Sequence, residues 1–186
     1  MRTRGIEGSR QVRAMIIEPR AVNLGYILKM VPHAPDGMAT FDDRLRLQKL
    51  IYMIEAFGVY LGYDFSWYLR GPYCTRLAKT GFELEQIAHR IEDSTKTKFN
   101  DPYMQKRFDR AIRFIERIMD SPSDTERLEI AASIHLLLQT TSLDKQAIFS
   151  RVISKMPASG DQKRLEDLCE RMWEELSKED LISYER

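Results

Sequence analysis

Tyr68-Leu69-Arg70-Gly71-Pro72-Tyr73-Cys74-Thr75 is the stretch on which the fold turns. Just before it, Phe65-Ser66-Trp67-Tyr68-Leu69 is aromatic and alternating, with Phe65, Trp67 and Leu69 on one side, the mark of a short strand. A strand needs a partner for its backbone groups, so the expectation is an extended segment or a tiny hairpin. Gly71-Pro72 makes the turn that follows. Pro72 suits the first position of a helix, where its missing amide costs nothing. Leu77 and Ala78 then continue a helix, Gly81 interrupts it, and Phe82, Leu84, Ile87, Ala88 and Ile91 define the next.

On the N-terminal side, Leu47, Leu50, Ile51, Ile54 and Phe57 recur at spacings of three and four, so a helix with one buried face ends near Phe57. Thr40 caps it, with Asp43 three residues on. A shorter helix over 21–31 stops at Pro32-His33-Ala34-Pro35-Asp36-Gly37. On the C-terminal side, residues 93–101 read as a polar loop, and Asp101-Pro102 opens a helix to about Met119. Residues 125–139 are the most apolar and predict a central helix. Ser142 caps a helix to about Lys155, and 161–177 form the last one. The expectation is a nearly all-α fold of seven to eight helices. It forms a single helical domain over 21–186, with a motif-bearing part at 41–92 and a C-terminal helical part at 101–182. A flexible basic arm over 1–20 precedes it, five Arg against two Glu.

Of the 186 residues, 43% are hydrophobic and 31% charged, and the net charge is +1, the profile of a soluble globular chain without a strong global field. No apolar run is long enough for a membrane span, and the N-terminus lacks the apolar core of a signal peptide. The two cysteines, Cys74 and Cys169, fit a reducing cytoplasm. His33, His89 and His135 lack any second ligand at metal spacing, so no metal is expected. His135 reads as a satisfied core histidine. Cys74 stands at a helix start with His89 fifteen residues on, a conceivable nucleophile and base that is outweighed by a plain structural role. No phosphate-cradling glycine loop, acid–base carboxylate pair, catalytic residue or cofactor site stands out.

Charge is uneven. Residues 96–117 hold seven Lys or Arg against three acids, and residues 161–186 hold nine acids against five bases. These are solvated faces, a partner surface, or two parts of one molecule packed against each other. Arg107, Arg110, Arg113 and Arg117 lie on one helix and give the alternative of a DNA-binding regulator, helped by the N-terminal arm. Tyr52, Tyr60, Tyr63, Trp67, Tyr68 and Tyr73 cluster within 22 residues, which reads as core plus a half-wet groove.

Leu47-Gln48-Lys49-Leu50-Ile51-Tyr52, then Gly62-Tyr63 and Phe65, then Tyr68 and Gly71-Pro72-Tyr73, resemble the YwgA-like proteins and the related Panacea antitoxin domain. Leu128-Glu129-Ile130-Ala131-Ala132-Ser133-Ile134 is similar to a later helix of that family. Arg70 stands where an aromatic is common, Cys74 where Ser is common, and Tyr68 where the Panacea form has Trp, which favours the YwgA-like branch. The resemblance implies a helical, non-enzymatic protein that binds a partner protein as an antitoxin-like or defence-linked regulator. Its matching positions are Gln48, Lys49, Tyr52, Gly71, Pro72 and Tyr73. Arg70 joins them in the expected partner surface. Nucleic acid is the alternative partner, no membrane is expected, and homo-oligomerisation is left open.

Overall fold

A computed structural model describes residues 19–91, 98–157 and 161–182. Most of the expected basic arm, the loop at 93–101 in large part, and the end of the break at 156–160 lie outside the described residues. Seven α-helices and one two-stranded sheet are present among the described residues: α1 Pro19–Leu28, α2 Phe41–Ala56, β1 Ser66–Tyr68, β2 Gly71–Tyr73, α3 Thr75–Ile87, α4 Pro102–Ile118, α5 Thr125–Thr140, α6 Lys145–Ile153 and α7 Gln162–Lys178. The mostly helical expectation holds. No helix of the described residues is long and apolar enough to cross a membrane.

Two helices form the centre. In α5, every residue from Leu128 to Leu137 is buried, the polar Glu129, Ser133 and His135 along with the apolar residues that dominate the run. α2 is buried all round from Leu47 to Ile54, not on one face as its heptad-like spacing suggests. Gln48 and Lys49, expected in a partner surface, lie inside. α2 packs on α5, α7 and α6 cover the far side of α5, α4 leans on α2, and α1 pairs with α3. The start of α2 is set as its sequence predicts. The Thr40 side chain accepts from Asp43 N, and the Asp43 carboxylate accepts from Thr40 N, a closed capping box.

Three local expectations change. Pro72 does not open a helix: it sits in β2 opposite Trp67, and α3 starts at Thr75. Proline is tolerated there because a two-stranded sheet is all edge. Gly81 does not interrupt α3, which runs through it. A Cβ there would lie 2.7 Å from Met38 Cε and 2.8 Å from Leu47 Cδ2, so the glycine serves close approach and not a break. α6 is capped by Asp144, whose carboxylate accepts from Ala147 N, in place of Ser142.

A candidate partner-binding groove beside the hairpin

The hairpin reverses over Leu69-Arg70, and Gly71 follows at φ +83°, the left-handed geometry a glycine supplies after a tight reversal. Two strands of three residues each would not persist alone. Here α2 and α5 grip their backbone. Lys49 Nζ donates to Pro72 O at 2.7 Å. Gln48 Nε2 donates to Cys74 O at 3.0 Å, and Cys74 N donates back to Gln48 Oε1 at 2.8 Å. From α5, Glu129 receives a two-pronged contact from Arg70, Nε at 2.8 Å and Nη2 at 2.6 Å. Ser133 lies so close to Gly71 that a Cβ on residue 71 would stand 2.0 Å from its Oγ. Two residues further along α5, His135 Nδ1 shares a 2.7 Å hydrogen bond with the Tyr52 hydroxyl.

The charges in this layer are nearly dry. Glu129 is 1% exposed and Lys49 2%. The Arg70 guanidinium is matched by Glu129, so Lys49 has no full counter-charge of its own. Burial, with repulsion from Arg70 added, brings the Lys49 ammonium down to about 7 despite attraction to Glu129. Burial pushes the Glu129 carboxyl up against the pull of Arg70 and Lys49. Burial also lowers His135 to about 4 and raises the Tyr52 phenol, so that pair stays neutral near pH 7.

Above this layer lies a groove of about 630 Å³ between the start of α2, the hairpin and α3. Phe41 (55% exposed), Tyr68 (56%), Leu69 (66%) and Phe82 (44%) form its apolar walls. Arg70 lies over the Phe41 ring at 5.6 Å, and Tyr68 packs on Tyr73 with centroids 5.2 Å apart. By contrast, the cleft that α1 makes with Tyr60, Tyr63 and Phe99 holds about 300 Å³.

Five of the seven expected site residues, Gln48, Lys49, Arg70, Gly71 and Tyr73, line this groove, and Tyr52 and Pro72 do not. Tyr73 and Arg70 are half-buried at the groove, whereas Tyr52, Gly71 and Pro72 are buried supports, and Gln48 and Lys49 form the buried floor. Glu129, Ser133, Phe41 and Phe82 were not singled out. Glu129 carried a signal, as the lone acid inside a largely apolar run. The sequence pattern places Phe82 in an apolar stripe, whereas its side chain stands exposed.

The basic helix is largely occupied by its own chain. Arg107 donates to Gly58 O and stacks on Tyr103. Arg110 reaches Glu179, and Arg117 joins Glu175 and Glu179 at 2.5 and 2.7 Å. The basic and acidic stretches therefore face each other within the molecule. Arg113 is exposed. Cys74 is buried, with a 13-residue helix between it and exposed His89, a span of about 20 Å that keeps thiol and imidazole apart. Among the described residues no group of three His, Cys, Asp or Glu could hold a metal ion.

Compared with family models, with curated proteins and with solved structures, the chain finds no match in any of the three.

Proposed function

We propose that this chain is a protein-binding module that seats an apolar segment of a partner protein in the groove beside the hairpin. One observation carries this reading. Of seven large apolar side chains that stand exposed among the described residues, four converge on that groove. Scattered exposed apolar groups are ordinary, whereas a contiguous set around a concavity is what interaction sites provide. The rigid floor supports the same reading, because a preformed groove loses less conformational freedom on binding. The resemblance to the YwgA-like proteins and the related Panacea domain narrows the proposal to an antitoxin-like or defence-linked regulator, in the antitoxin-like case with a toxin as its partner. The buried free thiols Cys74 and Cys169 suit action in the cytoplasm.

The test compares proteins retained from native cells by the tagged chain with those retained by a Leu69→Glu variant, followed by titration of the purified pair. A partner whose affinity falls at least about tenfold on this substitution supports the proposal. A partner held equally by both forms overturns it. For the narrower reading, co-expression of the chain should relieve growth inhibition by that partner, and the Leu69→Glu variant should not.

A further inference from the structure

This inference rests on the groove as a protein-binding site and concerns what its occupant is made of. The cationic side chains that line the groove are Arg44, Lys49, Arg70 and Lys155, and no Asp or Glu lines it. Two of the four are accounted for inside the protein: Arg70 by Glu129, Lys49 by burial and its bond to Pro72 O. The other two are not. Arg44 Nη1 donates to the carbonyls of Met38 and Ala39, which are neutral acceptors, and Lys155 is exposed past the end of α6. Neither pairs with a carboxylate among the described residues. The groove is thus apolar along its walls and positive at its edge.

We infer that the occupant is an amphipathic acidic segment of a partner protein. Its apolar side chains lie between Phe41, Tyr68, Leu69 and Phe82, and its carboxylates meet Arg44 and Lys155. The chain's own ends do not suit this role. Residues 1–18 hold four Arg against two Glu, which repels them from a positive rim, and residues 183–186 hold one Glu and one Arg. A second copy would have to release Glu175 and Glu179 from Arg117 to offer those two carboxylates.

The experiment is selection of random displayed peptides on the full-length protein, with counter-selection on the Leu69→Glu variant to isolate groove-dependent binders. Enrichment of Asp and Glu among apolar residues at helical spacing is expected. The affinity of such peptides should fall about tenfold in a Lys155→Glu variant and weaken with added salt. Lys155 is exposed, so that variant keeps its fold, and thermal melting verifies this. Groove-dependent peptides without acid enrichment, or indifferent to Lys155→Glu, overturn the acidic occupant and leave the protein-binding reading standing. An absence of groove-dependent peptides overturns both. Concentration-dependent dimerisation abolished by Leu69→Glu replaces the foreign partner with a second copy.

Discussion

The Arg70–Glu129 contact under the hairpin and the Arg117–Glu175–Glu179 cluster between α4 and α7 use the same two chemical groups in different surroundings. In the first, the Glu129 side chain is 1% exposed and the Arg70 side chain 24%, with Lys49 adding a buried amine beside them. In the second, the Arg117 side chain is 39% exposed and the acids are 16–17%. Water can replace a lost partner in the cluster and cannot reach Glu129. The lesson is that similar bond lengths say little about energy. The buried pair fixes a geometry, because an unmatched charge there is intolerable, while the outer cluster only favours a docking that apolar packing already sets.

Removing one side of the buried pair is the severest break. Glu129→Ala leaves Arg70 and Lys49 without their counter-charge and should lower unfolding free energy by about 3–5 kcal/mol, read by urea denaturation. A loss under about 1 kcal/mol would erase the distinction between the regions. Gly71→Ala comes next, at about 3 kcal/mol, from the left-handed backbone and the contact with Ser133 Oγ. Adding Ser133→Ala should recover part of that loss, and a double-mutant cycle measures how much.

A third experiment sharpens the comparison through pH. Because Lys49 is lowered to about 7, the folded protein binds fewer protons than the unfolded chain from about pH 7 up to the ordinary lysine range. Stability therefore rises with pH across that window, and the penalty is complete below it. Lys49→Met removes this slope, so the stability of variant relative to parent should be highest below pH 7 and should decline toward pH 9. A parallel pair of curves would show that Lys49 is not held near neutrality. The smallest effect is expected from Arg117→Ala, at about 0.5–1 kcal/mol and shrinking with salt, checked by denaturation at low and high ionic strength.

Much of the fold was legible because its signals are local. The Thr40–Asp43 box, the Asp101-Pro102 opening and the largely apolar run of α5 each depend on neighbours a few residues away. The candidate site was legible in part, through the motif positions that meet at the hairpin. What stayed hidden depends on distant partners. Lys49 and Gln48 look like solvent-facing letters, and only the carbonyls of Pro72 and Cys74, 23 and 26 residues on, make their burial tolerable. Gly71-Pro72 misled for a related reason. The dipeptide fits a helix start as well as a turn, and the choice was made by Gln48 and Ser133, which local propensity does not contain. Phe41 and Phe82 belong to a wall that exists only once three elements meet.

From α2 the grip on the hairpin runs through main-chain atoms, the carbonyl of residue 72 and the amide and carbonyl of residue 74, while from α5 it runs through the Arg70 side chain. The Gln48 amide holds the chain at Cys74, just past the end of β2. A scaffold that holds a loop by its peptide groups is indifferent to what most of its side chains spell. Tyr68, Leu69 and Tyr73 can therefore be rewritten without dismantling the frame, so long as Gln48, Lys49, Arg70, Gly71 and Glu129 stay. The molecule separates the handle from the message, and a change of partner would require new letters at the tip and no new architecture beneath it.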